Sequence, residues 1–324
     1  MECRHAIPLQ IGKIPVRVRV TAPHGFGDSI GDTRSPPVSE AGGQRGYFSP
    51  GSAVWQIARE SVLMLGGGYA LLMQAAHPLV AAGIVAHSSF RESPWRRLAG
   101  TMSAIYTVVY GTKAEADRTA ARVRAIHAGV QGSIPAQLGQ YPAGTGYAAH
   151  EPRLLLWVHG TLVDTALVMY ETFVRPLGDE QRRAFYEDMK LVAQLFGTPT
   201  AVIPSSFSDF QAYQRERLES GEIVVTDAAR EVAETVLRPP VTIALRPALE
   251  ALGLLTAGLL PESLREQYDL PWDRARGALL AASAQTLRRA VLPLLPDIVR
   301  TVGLERRARE RRSLPFDPLT GFAR

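Results

Sequence analysis

Seven unevenly placed histidines carry most of the chemistry this chain could perform. His5 and His24 lie near the N-terminus, His77, His87, His127, His150 and His159 fall in one stretch, and none follows His159. His127 is the most informative. Ala116, Ala120, Val123, His127 and Val130 recur at spacings of four, three, four and three, which puts the imidazole on the apolar stripe of a helix. Arg124 stands three residues earlier, on an adjacent face. An imidazole aimed at an apolar core beside a guanidinium suits a haem: the ring nitrogen could hold iron and the guanidinium could meet a propionate. A core histidine bonded to a carbonyl has the same spacing, and spacing alone favours that plainer role.

Arg97 and Thr101 are a second pair, four apart and so on one helix face with Ile105 and Val108. A guanidinium and a hydroxyl together could donate hydrogen bonds to dioxygen or peroxide. A surface arginine and a back-bonded threonine are the plainer roles, again favoured by spacing alone. His159 sits in the most apolar helical stretch, with Asp164 five residues on. Five residues turn a helix by about 140°, so the two do not face each other and each needs its own partner. His159 either lines a pocket or satisfies neighbouring backbone. His77 precedes Pro78 and is expected to bond a carbonyl freed at a kink there.

Other chemistries lack their signatures. Past residue 50 there is no Glu-x-x-His for a di-iron bundle, no His-Glu-x-x-His zinc motif and no Gly-x-Ser-x-Gly elbow. Gly66-Gly67-Gly68 lacks the Gly-Lys-Ser/Thr of a nucleotide loop. The single cysteine, Cys3, excludes an intrachain disulfide, a zinc–cysteine cluster and a cysteine-ligated iron–sulfur site.

The elements that must position these groups read as helices. The 324 residues are 46% hydrophobic and 21% charged, as in an ordinary globular protein. Net charge is +5, but of 36 basic residues only Lys13, Lys113 and Lys190 are lysine. That bias reads first as genome composition, and no nucleic-acid partner is expected. Residues 1–50 form an irregular N-terminal arm, with Val16-Val18-Val20 as a possible short strand. Residues 51–305 read as one all-α domain, and 306–324 as an arginine-rich tail whose run 305–312 is a solvated helix end. The expected helices are 54–65, 69–87 with a kink at Pro78, 94–110, 112–130, 151–174, 178–197, 205–220, 226–237, 246–259, 261–267 and 272–302. The glycine triplet is expected to end the first, and 131–149 is expected to be a loop. Residues 61–86 carry no formal charge and are long enough to span a bilayer, but Gln74, His77 and Pro78 interrupt them. A buried helix pair is expected, with no membrane span. The first twenty residues lack the apolar core of a signal peptide, so a cytoplasmic location is expected.

Three blocks, QAAHPLVAAGIVAHSSFRESPWRRLAGT (74–101), RVRAIHAGVQG (122–132) and EPRLLLWVHGTLVDTAL (151–167), resemble, in this order, the MpaB-type oxygenase family. That family includes the rubber oxygenase called latex-clearing protein and the enzyme that cleaves the farnesyl chain in mycophenolic acid biosynthesis. The resemblance covers roughly residues 52–300. It implies an all-α fold enclosing haem b, with an apolar small-molecule substrate, dioxygen or peroxide and an electron donor as the expected partners. The family's Arg-x-x-His falls on Arg124 and His127, which implies His127 as proximal iron ligand. Its distal arginine and threonine fall on Arg97 and Thr101, and His159 matches a histidine of the third block. Two departures bear on the reaction. Gly100 stands where the latex-clearing protein has a lysine, and no carboxylate lies between Glu60 and Glu92, where that protein has a base. The haem is therefore expected and isoprenoid cleavage is not. The alternatives are a haem peroxidase or oxidase that inserts no oxygen, and a haem-free all-α carrier of apolar ligands.

Overall fold

A computed structural model describes residues 45–88, 94–239 and 242–313. After α1 (Ala53–Ala58) and a 3-10 turn at Ser61–Gly66 come α2 (Gly67–Ala75), α3 (Pro78–His87), α4 (Pro94–Tyr110) and α5 (Lys113–Ala128). A two-stranded hairpin, β1 (Gln131–Ser133) and β2 (Gly146–Ala148), leads to α6 (Pro152–Phe173), α7 (Asp179–Leu195), α8 (Phe207–Glu219) and α9 (Asp227–Leu237). The chain continues through α10 (Arg246–Leu259), α11 (Glu262–Gln267), α12 (Arg274–Thr286), α13 (Asp297–Arg300) and α14 (Gly303–Ser313). The fold is all-α.

Local chemistry sets the helix starts near the site. Thr112 and Glu115 form a reciprocal capping box at the head of α5. Glu151 accepts from the Leu154 amide at 2.9 Å and Pro152 sits in the first turn, so α6 begins there. α6 is the central helix: Leu154, Trp157, His159, Val163, Met169 and Phe173 are all buried. The glycine triplet does not end a continuous 54–65 helix, since α1 stops at Ala58; Gly66 closes the 3-10 turn and Gly67 opens α2 at its closest contacts. A Cβ on Gly66 would lie 2.7 Å from Met169, one on Gly67 2.8 Å from Leu98, and one on Gly68 2.5 Å from the Thr256 hydroxyl. Three helices thus approach α2 where it has no side chains.

The expected 54–65 helix breaks at Glu60, whose backbone bridges to Thr301 and whose carboxylate accepts from Arg300 Nε at 3.0 Å. The expected 272–302 helix ends at Thr286 and passes through a π turn at Leu287–Val291 and a 3-10 turn at Leu292–Leu294 before α13. Pro293 and Pro296 cannot donate to a continuing helix. The expected 131–149 loop holds the hairpin, with Gln131 opposite Ala148 and Gly132 opposite Tyr147. The run 305–312 is a docked helix rather than a solvated end. Glu305 and Ala308 are buried, and Arg311 and Arg312 donate to the carbonyls of Tyr110 and Phe48. Of the expected arm, only 45–50 is described, and there Phe48 enters the core. Val16-Val18-Val20, His5, His24, Lys13 and Cys3 lie outside the described residues.

Among the described residues no single helix is long and apolar enough to cross a membrane. Ser61–Ala75 with Pro78–His87 passes on length and composition, but the two segments meet at 112°. Leu72, Ala75, Ala76 and Ala81 of that pair are fully buried in protein.

Candidate functional site

The expected stripe on α5 is real, but its burial fades along the helix. Ala116 and Ala120 are fully buried, while Val123, His127 and Val130 are half-buried. His127 therefore sits in the last turn of α5 with part of its ring accessible, a correction to the fully core-facing position its spacing predicts. Its Nδ1 is buried and has no hydrogen-bond partner among the described residues. Burial first, and His150 second, hold the imidazole below the usual histidine pKa. The neutral ring is thus favoured, and a neutral ring keeps the lone pair that a metal takes.

Arg124 is exposed, and its Nη1 donates to the Leu195 carbonyl at the C-terminal end of α7. Its aliphatic stem crosses Gly197, which has a φ of +102° and where a Cβ would lie 3.2 Å from Arg124 Cδ. On α4, Arg97 is half-buried and its Nη1 is a buried donor with no partner among the described residues. Burial lowers the pKa of its guanidinium. Thr101 is exposed and back-bonded, donating to the Arg97 carbonyl at 3.2 Å. Between them, a Cβ on Gly100 would meet nothing within 4 Å.

His159 is 7% exposed on α6 and faces α7, where the Met189 carbonyl supports its protonated form. Burial outweighs that carbonyl and pushes the pKa down to about 4. Its Nε2 has no partner among the described residues. Met189 and Leu195 are six residues apart, about 9 Å of helix rise, so one stretch of α7 receives both His159 and Arg124. The expected lack of facing between His159 and Asp164 holds: the Tyr69 hydroxyl donates to Asp164 instead.

His77 does not bond a freed carbonyl. Its Nδ1 accepts from the Leu79 amide at 3.2 Å and caps α3. Its Nε2 lies 3.6 Å from the Glu222 carboxylate and 3.5 Å from the Tyr141 hydroxyl. Glu222 is drawn down to about 2 by His77 first, with Tyr141 and Arg217 adding to it. Sequence reading missed this cluster and the Tyr69–Asp164 pair, because His77 and Tyr141 are 64 residues apart, Tyr69 and Asp164 are 95 apart, and no local pattern links them. It also passed over Glu2-x-x-His5 and Gly27-x-Ser29-x-Gly31, which lie outside the described residues. Lys113 is exposed over the Tyr47 ring, and Lys190 donates to the Ser205 carbonyl at 2.9 Å and pairs with Glu187.

No group of three or more metal-binding side chains gathers among the described residues. A haem iron needs only one protein nitrogen. A lone imidazole held neutral, an arginine with an unpartnered buried donor and a helix face left bare at Gly100 fit that group.

The chain is 24% identical over 213 residues to the uncharacterized proteins Rv2237 of Mycobacterium tuberculosis and Mb2261 of Mycobacterium bovis, spanning 64% of this chain and 80% of each relative. No solved structure matches it significantly. Residues 54–289 match the family described as ER-bound oxygenase mpaB/B'/rubber oxygenase, catalytic domain, a stretch that contains all five site residues. The chain belongs to this oxygenase family.

Proposed function

We propose that the protein is a haem-b-dependent oxygenase or peroxygenase acting on an apolar small molecule. The observation that carries this reading is His127: in an oxygenase-family chain it presents a half-buried imidazole, held neutral, with an unpartnered ring nitrogen. Bound haem would supply the redox chemistry with dioxygen or peroxide, leaving the protein to bind, orient and polarise. His127 would hold the iron. Arg124 spends one N–H on Leu195, and its other donors would meet a propionate. Arg97 Nη1 would hydrogen-bond the oxidant, a contact that relieves its unpaired burial. Thr101 has committed its proton to the Arg97 carbonyl, so its lone pairs face outward as acceptors for a protonated oxygen. His159, neutral and with Nε2 free, would line the pocket and accept a proton. Inserting one oxygen atom of dioxygen and reducing the other to water would need two electrons from a donor partner; inserting both atoms, or using peroxide, would not.

The test is a visible absorption spectrum of the purified protein, followed by turnover under isotope-labelled dioxygen and, separately, labelled peroxide. A Soret band and label in the product support the reading. A colourless, haem-free protein supports the carrier alternative, and haem without label in the product supports the peroxidase or oxidase.

A further inference from the structure

One cavity of this protein shares no residue with the candidate site. It is a cleft of about 830 Å³ between the end of α9, one face of α10 and the loop leading into α12. That volume falls in the ~300–1,000 Å³ range of small-molecule sites. Its α10 wall is one helical stripe, Arg246, Leu249, Glu250, Gly253, Leu254 and Ala257, at spacings of three, one, three, one and three. Leu237, Leu270 and Pro271 complete an apolar interior.

The charges at the mouth are unequal in their commitments. Arg276 is tied to Asp273. Arg238 and Arg246 are exposed, and neither makes a side-chain hydrogen bond or ion pair among the described residues. Glu250 is also exposed, one turn along α10 from Arg246. Two unpaired guanidinium groups at the lip and leucines on the walls together favour one orientation: an anionic head outside and an apolar chain inside.

Gly253 adds an independent observation. Glycine is unfavourable inside a helix, and it is normally justified by a neighbour that needs the space. At Gly258, on the same helix, Trp272 and Leu280 fill the position where a Cβ would stand. At Gly253 nothing in the protein lies within 4 Å of that position, although Gly253 forms the cleft wall. A chain lying along α10 would occupy that space.

We infer that this cleft binds a long-chain carboxylate, its head on Arg238 and Arg246 and its chain over Gly253. The inference does not rest on the haem reading, and its test needs no turnover. Oleate below its critical micelle concentration is titrated calorimetrically into the purified chain, and vesicles of phosphatidylcholine with phosphatidylglycerol are sedimented with it in parallel. The expected result is saturable binding of one oleate, weakened about tenfold or more in Arg238→Gln/Arg246→Gln. Gly253→Leu, whose Cβ would meet no protein atom within 4 Å, is expected to retain the wild-type circular dichroism and melting transition and to lose the binding. Glu250→Gln is expected to bind more tightly. Absent oleate binding in the wild type, or unchanged binding in folded Gly253→Leu, overturns the proposal. Sedimentation with anionic vesicles without free-oleate binding also overturns it, and assigns the two arginines to a lipid surface.

Discussion

The Tyr69 hydroxyl donates to the Asp164 carboxylate across the contact between α2 and α6. Tyr69 is 2% exposed, and burial pushes the Asp164 carboxyl above the usual aspartate pKa while the bond to Tyr69 works against that shift. Tyr69→Phe should destabilise the fold by about 1–3 kcal/mol, because it strands a desolvated acceptor. Adding Asp164→Leu should recover part of the loss, since both polar groups are then gone. Urea unfolding of the two variants measures this; a single variant as stable as wild type would show that the bond contributes nothing.

His127→Ala should purify with most of its haem missing, because it removes the one imidazole that the family's Arg-x-x-His pattern assigns to the iron. The readout is the ratio of Soret to protein absorbance. Full occupancy with an unchanged spectrum would assign the iron ligand elsewhere.

Arg97→Ala and Thr101→Ala should retain haem and lose turnover, but unequally. Removing a donor aimed at developing charge commonly costs about 10²–10³ in rate. Arg97 keeps an unspent buried donor, whereas Thr101 already donates to the Arg97 carbonyl. Arg97→Ala should therefore be the slower variant at saturating substrate. The reverse order would mean that the threonine rotates its proton to the reacting oxygen.

The pH dependence of stability should carry the mark of His159. Its pKa is near 6.5 when unfolded and about 4 when folded. Between those values the unfolded chain binds a proton that the folded chain does not. Stability from this group is thus complete above pH 6.5 and is lost as pH falls toward 4, by roughly 1.4 kcal/mol per pH unit. Unfolding midpoints of wild type and His159→Gln at pH 7.5 and 5.5 should differ in slope in that direction. Parallel slopes would mean that the ring is protonated in the fold or reaches solvent.

Gly100→Lys should fold as well as wild type or better, since the position is open and lysine is a better helix former by up to about 1 kcal/mol. Cyanide and imidazole should shift the ferric spectrum of the wild type readily. In Gly100→Lys the amine should compete, and both ligands should bind more weakly. Equal binding in the two proteins would place Gly100 away from the haem face.

Where backbone chemistry is local, the sequence was easy to read. The Pro94 start, the Thr112–Glu115 box and the α6 boundaries follow from caps and prolines that lie within four residues of what they control. The break at Glu60 was hidden because its cause, Arg300 and Thr301, is 240 residues away. The glycine triplet looked like a terminator because the reason for it, three neighbouring helices, is tertiary. In the site, spacing found the His127 stripe and the Arg97–Thr101 face. It could not separate a deep ring from a half-buried one, nor show that Arg124 leans on α7.

The closure of α1 by the C-terminal helices has a consequence for how the protein is made. The Trp55 indole donates to Glu305 at 3.1 Å, the Val302 amide donates to the Arg59 carbonyl at 2.9 Å, and Glu60 takes Arg300. During synthesis the N-terminal portion emerges first, at about 5–20 residues per second. Until translation passes Glu305, Trp55 and Glu60 have no partners from this end, and the first helix must wait in an unfinished state. α13 and α14 therefore act as a completion signal, and a fragment cut where the matched family stretch stops, at residue 289, would be left in that waiting state.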